Sequence, residues 1–362
     1  MLIDMIAGAR PNFMKVAPII NAIKKRRSEG ADLSFRLVHT GQHYDKKMSE
    51  SFFEQLNIPS PDVNFGVGSG TQAEQTAKIM TGYEQIILEE VPDVCLVVGD
   101  VTSTMACAIT AKKCGVIVVH VEGGIRSGDW RMPEEVNRVV TDSITDYFYT
   151  TSEHANNNLR KQGVPAEKVV YVGNTMIDSL LANLERLQKP AVWDKGNLRQ
   201  KEFILMTLHR PSNVDDGAGL KKIIDRVCTL SGDYPVIFPV HPRTMKMLDM
   251  DEMNYPNLLA IEPMGYLEFI YLLKHALAVV TDSGGITEEA TVLGIPCMTL
   301  RDSTERPETI EEGTNELLGT DPESLNDSFD KLMKGNWKKG SIPYLWDGKT
   351  STRIVDHLMS IS

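Results

Sequence analysis

Along the chain, short apolar runs alternate with longer amphipathic segments. The runs LIDMIAG, FRLVHT, VCLVVGD, VIVVHVEGG, YFYTTS and VVYVG come first. After the polar stretch Gln188–Gln200 follow FILMTLH, VIFPVH, LLAIEP, LAVVTDSGG and PCMTL. Each run is continuous and rich in β-branched residues, which suits parallel strands buried on both faces. Between them, Thr71–Glu90, Ser103–Lys113, Pro133–Ser143 and Gly217–Leu230 carry apolar residues at helical spacing. Strand and helix in repeated alternation predict doubly wound sheets. The rhythm breaks near residues 172–200 and then resumes, so it predicts two such sheets. The expected fold is α/β: a Rossmann-like domain over 1–172, a second over 173–349, and a closing helix at about 350–362 that packs back on the first. A length of 362 residues fits two cores better than one.

Polar residues gather where the runs end, at Gly8-Ala9-Arg10, His39-Thr40-Gly41-Gln42, Gly99-Asp100, Glu122-Gly123-Gly124, His209-Arg210, His241-Pro242 and Asp282-Ser283-Gly284-Gly285. Ligands of open α/β sheets bind beyond the carboxyl ends of the strands. Two sheets facing each other would place all these clusters around one central cleft.

Composition narrows the class. With 42% hydrophobic and 24% charged residues the chain is ordinary globular protein, and no apolar run reaches membrane-spanning length. The start, MLIDMIAGARPNF, lacks a basic leader region and a cleavage site, and is expected to be a buried first strand. Cys95, Cys107, Cys114, Cys228 and Cys297 are odd in number and lie mostly in apolar segments, which suits reduced thiols in a cytoplasmic protein. A net charge of −11 argues against nucleic acid as a partner, yet leaves room for a local cationic site.

The candidate chemistry lies at the strand ends. Val280–Ala290 reads as strand, Ser-Gly-Gly turn and helix start, where backbone N–H groups attract phosphate. Glu288 or Glu289 could accept hydrogen bonds from a ribose, although a capped helix with acidic residues uses the same pattern. The cluster Arg301–Glu308, including Arg306, adds cations after the next strand. Arg10 and Lys15 offer a guanidinium fork and a point charge at the first strand–helix junction. Asp100 and Glu122 each close a run that should be buried, which marks them above ordinary surface acids. Glu134 and Arg138, four apart on one helix, should face the same way, as a surface ion pair also would. His209 and His241 end strands and precede Arg-containing turns, which favours anion contacts. No spacing suggests a metal site and no GxGxxG follows a strand, so neither a metal nor a dinucleotide cofactor is expected. Gly348-Lys349-Thr350 imitates a phosphate loop, but Pro343 stands where its first glycine should be.

Taken together, Gly8–Lys15, Thr40–Asp45, Gly99–Thr104, His120–Ser127, Pro133–Arg138, Gly173–Thr175, Thr207–Arg210, Asp282–Ile286 and Arg301–Glu308 resemble, in order and over the whole chain, the non-hydrolysing UDP-N-acetylglucosamine 2-epimerases. That resemblance implies the two-domain fold of GT-B glycosyltransferases, a homodimer, and no cofactor. It implies that Asp100, Glu122 and Glu134 transfer protons and stabilise cationic carbon, and that His209, with Arg10 and Lys15, stabilises the departing diphosphate. Met264 and Phe269 would hold uracil; Ser283, Gly284, Gly285 and Arg306 the phosphates; and Glu289 the ribose. Arg138 would orient Glu134 or a neighbour. The implied reaction is anti elimination of UDP to 2-acetamidoglucal and re-addition, feeding surface polysaccharide synthesis. A 2-epimerase of a modified sugar such as UDP-2,3-diacetamido-glucuronate would share the uridine and phosphate contacts, and the second domain alone would also suit a glycosyltransferase.

Two departures from the family pattern are mild: Gly123 in place of alanine and Ile125 in place of leucine. A third matters more. Some bacterial members carry an activating substrate site built on Gln-His, a following glutamine and a later arginine. Here Gln42-His43 is followed by Asp45, and no arginine lies between Arg36 and Arg126. Initial rates should therefore be hyperbolic in UDP-N-acetylglucosamine. Strongly sigmoidal rates would show that an activating site works.

Overall fold

The computed structural model of the chain describes residues 1–41, 58–214, 216–240 and 255–361, the side chains of Arg10, Pro211 and Ser212 excepted. It divides into two compact units: Met1–Ala182 with Tyr344–Ser362, and Asn183–Pro343.

The first unit is built on a seven-stranded sheet of order β3-β2-β1-β4-β5-β6-β7. Its strands are β1 (Leu2–Ala7), β2 (Ser34–His39), β3 (Val63–Asn64), β4 (Val94–Val98), β5 (Ile117–Val121), β6 (Tyr147–Thr150) and β7 (Val169–Tyr171). All are parallel, with Ala7 opposite His39 and Val98 opposite Val121. Ile3, Met5, Leu96, Val97 and Val119 are buried, because helices cover both faces. Those helices include Arg10–Ser28, Gln72–Glu89, Thr102–Lys113 and Pro133–Ile144, so the amphipathic segments read from the sequence are in place to within a residue.

The second unit has a six-stranded parallel sheet of order β10-β9-β8-β11-β12-β13. Its strands are β8 (Ile204–Thr207), β9 (Val236–Pro239), β10 (Leu258–Ile261), β11 (Ala278–Thr281), β12 (Cys297–Thr299) and β13 (Asn315–Leu317). One side of its core is Met206, Leu220, Ile224, Phe238, Val280 and Phe329. Edge strands β3 and β13 are two and three residues long, too short to announce themselves as apolar runs.

The two units are therefore α/β with parallel sheets. Each has the switch point of a doubly wound fold, where connections leave to opposite faces: between β1 and β4 in the first, between β8 and β11 in the second.

The expected domain bounds were residues 172 and 349; the compact units change at 182 and 343. The helix Thr175–Asn183 accounts for the first difference, because its Ser179 hydroxyl donates to the Met14 carbonyl at 2.5 Å. The last helix, Thr350–Ser360, belongs to the first unit. The buried Asp178 carboxylate caps it, accepting from the Thr350 and Ser351 amides at 3.1 and 2.7 Å. Ahead of it, the buried Trp346 indole donates to the Thr151 carbonyl at 3.0 Å. The Gly348-Lys349-Thr350 stretch is the turn into this helix. Four of the five cysteines are buried and all are free. No described helix is long and apolar enough to cross a membrane.

Replacing Asp178 by Ala removes two cap bonds and strands two buried amides, which should cost about 2 kcal/mol. Hydrogen exchange should show amides of Thr350–Ser360 losing protection first, while the core of the second unit stays protected.

Candidate active site

At the switch point of the first unit, the turns after β1, β4 and β5 meet. The helix after β1 starts at Arg10 without a side-chain cap from Ala9. Asn12 does that work from inside: its Oδ1 accepts from the Gly8 and Ala9 amides at 3.1 and 2.9 Å, and its Nδ2 donates to the Val98 carbonyl at 3.1 Å. The β1 turn is thereby tied to the end of β4. One turn further along the helix, Lys15 Nζ lies 2.8 Å from Glu122 Oε2.

Glu122 follows β5 and is 3% exposed. Its backbone is left-handed, φ 71°, a conformation that costs a side-chain-bearing residue and persists where neighbours enforce it. The amide of Glu122 donates to the Tyr149 carbonyl at 2.9 Å. Gly99, after β4, is also left-handed, at φ 69°. A Cβ there would sit 3.3 Å from Lys15 Nζ and 4.0 Å from Glu122 Oε2, so glycine keeps the ion pair open to the strand ends.

Asp100 is the next residue, and its carboxylate is paired. The Nε and Nη2 groups of Arg138 both donate to its Oδ2, at 3.0 and 2.6 Å, and Asn137 Nδ2 donates to its carbonyl at 2.8 Å. Arg138 is buried, and its third arm reaches Glu135 Oε2 at 2.6 Å. Glu135 in turn accepts from the Ser127 and Gly128 amides at 2.9 and 3.0 Å. Desolvation works against the Glu135 charge, but the Ser127 amide, Arg138 and the Gly128 amide hold its carboxyl below the ordinary carboxylate range.

In the second unit, β8 and β11 are neighbours with Thr207 opposite Thr281, so their ends share one crevice. Asp282 is fully buried there and accepts from the His209 and Arg210 amides, at 3.1 and 2.9 Å, and from Asn213 Nδ2 at 3.0 Å. Its Oδ1 also meets His209 Nδ1 at 2.8 Å, while the histidine side chain is 61% exposed. Burial would raise the Asp282 carboxyl, yet His209 and the other donors hold it below its ordinary range. The ring is thus pinned at Nδ1, and its Nε2 is the nitrogen left for a ligand.

The next helix, Gly284–Leu293, begins at Ser283 with no side-chain cap. Its first amides have no intrahelical acceptor, as at any helix start, and such amides attract anions. Arg301 stands beside it, its Nη1 3.8 Å from where a Gly284 Cβ would be and its Nη2 2.6 Å from Glu305 Oε2. Further along, Glu288 pairs with Arg306 at 2.6 Å, both buried. Glu289 accepts from the Tyr266 hydroxyl at 2.9 Å. Burial pushes the Glu289 carboxyl up to about 8, Tyr266 opposing and the nearby Glu288 adding to the rise.

The first unit thus carries carboxylates paired with cations at its switch point, and the second carries a pinned histidine and an uncapped helix start at its own. A model of the family described as UDP-N-acetylglucosamine 2-epimerase matches residues 25–359. The UDP-N-acetylglucosamine 2-epimerase of Methanocaldococcus jannaschii is 41% identical over 98% of this chain and 98% of its own.

The chain belongs to the UDP-N-acetylglucosamine 2-epimerase family.

A crystal structure of the M. jannaschii UDP-GlcNAc 2-epimerase in complex with UDP-GlcNAc and UDP superposes with a TM-score of 0.87 at 41% identity, covering 99% of this chain and 100% of that one. The UDP-2,3-diacetamido-2,3-dideoxy-D-glucuronate 2-epimerase of Pseudomonas aeruginosa is 38% identical over the full length of both chains.

In this epimerase, Lys15 and Glu122 lie together, as do Asp100 and Arg138. Lys15, expected at a phosphate, faces the Glu122 carboxylate. Ser283, Gly284, Gly285 and His209 gather around Asp282 and the helix start that follows it. Met264 precedes the helix Tyr266–His275, which carries Phe269 one turn after Tyr266 and so runs beside Glu289. Arg306 spends one donor on Glu288. Glu134 is exposed on the first turn of its helix. The partner of Arg138 on that helix is Glu135, three residues away, because Glu135 is fixed by the 127–128 turn. His241 lies outside the described residues, as do Gln42, His43 and Asp45, and so does the side chain of Arg10. Among the described residues no three His, Cys, Asp or Glu side chains group as a metal site. The family's usual alanine at position 123 would find its space taken: a Cβ on Gly123 would meet Phe148 at 2.9 Å.

Tyr266 and Asp142 have no signal in the sequence, whereas Glu135, Asp282 and His120 fall inside the segments Pro133–Arg138, Asp282–Ile286 and His120–Ser127 without a role of their own.

The raised Glu289 carboxyl has a stability consequence. Below the ordinary carboxylate pKa both folded and unfolded chains are protonated and nothing is lost. As pH rises toward about 8, the unfolded chain sheds a proton that the folded chain keeps, so stability falls through that window. Melting curves from pH 5 to 8.5 should fall less steeply for Glu289→Gln than for the unaltered protein.

Proposed function

We propose that this chain converts UDP-N-acetylglucosamine to UDP-N-acetylmannosamine by elimination and re-addition of UDP. The observation that carries the reading is the grouping of Lys15, Glu122, Asp100 and Arg138 at the switch point of the first unit, in a chain of this family. The C2 proton has no adjacent carbonyl to acidify it, so departure of UDP from C1 with oxocarbenium character must assist its removal. A carboxylate takes the C2 proton, and 2-acetamidoglucal and UDP result. Return of UDP with protonation at the opposite face gives the other epimer. Two proton-transfer groups on opposite faces are required, and their negative charge also steadies the cationic carbon.

Asp100, Glu122 and Glu134 take these roles in the proposal. Lys15 then exchanges its bond to Glu122 for one to the leaving diphosphate, assisted by Arg10 and by His209 through its free Nε2. Ser283, Gly284, Gly285 and Arg306 hold the phosphates, Glu289 the ribose, and Met264 and Phe269 the uracil; His241 completes the anion contacts. Support comes from the uncapped helix start and the buried carboxylate beside Tyr266. The proposal further includes a homodimer in the cytoplasm, no cofactor, and a product that feeds surface polysaccharide synthesis.

A second reading has a specific observation behind it. The P. aeruginosa relative, named for a diacetamido-glucuronate substrate, is nearly as similar to this chain as the M. jannaschii one. Epimerisation of a sugar modified at C3 and C6 would use the same groups at C1 and C2.

The test is incubation with UDP-N-acetylglucosamine in deuterated water, followed at C2 by proton NMR. Deuterium in both epimers is the expected result. Release of free N-acetylmannosamine would mean a hydrolysing enzyme, and no exchange would favour the modified sugar. Asp100→Asn should lower kcat by about 10³-fold, within the range for one proton-transfer group, while UDP still binds. Near-normal turnover would remove Asp100 from the mechanism.

A further inference from the structure

Behind the two turns that carry Asp100 and Glu122 lies a second, deeper set of charges that the proposed chemistry does not use. His120, in β5, is 1% exposed, and Asp142, on the helix Pro133–Ile144, is 4% exposed. Nδ1 of His120 lies 2.7 Å from Asp142 Oδ1, and its Nε2 lies 2.8 Å from the Gly99 carbonyl oxygen. A carbonyl only accepts, so Nε2 carries a hydrogen. Asp142 also receives the Gly124 amide at 3.0 Å and the Arg126 guanidinium at 2.7 Å, contacts that suit an ionised carboxylate. Burial would raise the Asp142 carboxyl, but His120 and Arg126 hold it below the ordinary range. The His120 ring is thus held between the Asp142 carboxylate at Nδ1 and the Gly99 carbonyl at Nε2.

What this buried set touches is telling. Gly99 precedes Asp100, and Gly124 follows Glu122 by two residues. The Gly99 amide already donates to the Val121 carbonyl at 3.0 Å, so the ring fixes the other side of the same peptide turn. Gly99 and Glu122 are both left-handed, a state that needs outside support at Glu122. Hydrophobic packing would have served stability at least as well as a buried ion pair, which must overcome its own desolvation.

We infer that His120 and Asp142 are positioning residues, whose buried pair fixes the Gly99–Asp100 and Glu122–Gly124 turns and so aligns two carboxylates for proton transfer. The inference rests on the epimerase reading above. Misplacing a reacting group by about 1 Å can lower a rate by about 10²-fold, so removing the brace should strike kcat and leave binding in place.

The experiment divides the two bonds of His120. In His120→Gln the amide nitrogen overlays Nε2 and keeps the donor to Gly99. In His120→Asn it overlays Nδ1, keeping the bond to Asp142 and losing Gly99. For His120→Asn, kcat and C2 deuterium incorporation should both fall about 100-fold, with KM and the Kd for UDP within about threefold of the unaltered enzyme. His120→Gln should retain more than a tenth of the activity. Two variants with kcat within about threefold of the unaltered enzyme would overturn the inference. So would equal losses in both that track melting temperature, which is what a purely structural role gives. Should the variants fail to fold, nitrogen NMR of the unaltered protein replaces them: the Nε2–H of His120 should be protected and hydrogen-bonded, and a freely exchanging or absent Nε2–H would overturn the inference. Absence of deuterium exchange by the unaltered enzyme defeats the functional reading instead, and leaves this NMR result standing by itself.

Discussion

In a parallel sheet every strand delivers its carboxyl end to the same edge. The chain must then turn sharply to start a helix on one face or the other. At a switch point adjacent strands send their helices to opposite faces, and the gap between them cannot be filled by either connection. Both units of this protein face that constraint, between β1 and β4 and between β8 and β11. The polar residues with functional promise, Asn12, Lys15, Asp100 and Glu122 in one unit and His209, Asp282 and Ser283 in the other, are the residues that line those two gaps. The fold makes the gap, and the sequence decides its chemistry.

The two gaps are wired differently. In the first unit three carboxylates are each held by a cation: Glu122 by Lys15, Asp100 by Arg138, and Asp142, one layer deeper, by Arg126, with the His120 ring on its other oxygen. Such pairs fix geometry as well as charge, because the guanidinium of Arg138 presents two N–H groups to one oxygen. In the second unit the dominant donors are backbone amides, with Asp282 receiving two of them and the helix start at Gly284 offering more. Paired side-chain charges suit proton movement, while oriented amides suit a bound anion.

Much of this was legible in the amino-acid order. Asp100 and Glu122 stood out because a carboxylate at the end of a buried run is costly unless it has work or a partner. Continuous Val- and Ile-rich runs gave both parallel sheets, and the helix bounds followed from amphipathic spacing. Other features had no local signal. Lys15 and Glu122 are 107 residues apart, and His120 and Asp142 are 22 apart, so only the sheet brings them together. The choice between Glu134 and Glu135 as the partner of Arg138 depends on which carboxylate the 127–128 turn captures, something helical spacing leaves open. Strands β3 and β13 were hidden by their brevity. The segment 173–182 carries no compositional mark of its allegiance, which the buried contact of Ser179 with Met14 decides.

The return of the last helix to the first unit makes the second unit, in chain order, an insertion. A ribosome therefore finishes residues 183–343 before it supplies the 19 residues that complete the first unit, Tyr344–Ser362. Until then the apolar face awaiting Ile354, Val355 and Leu358 stays uncovered, and Asp178 has no helix to cap. The second unit, being continuous, can fold while the chain is still being made. The unit bearing the proposed proton-transfer groups thus closes only after the inserted unit has been made.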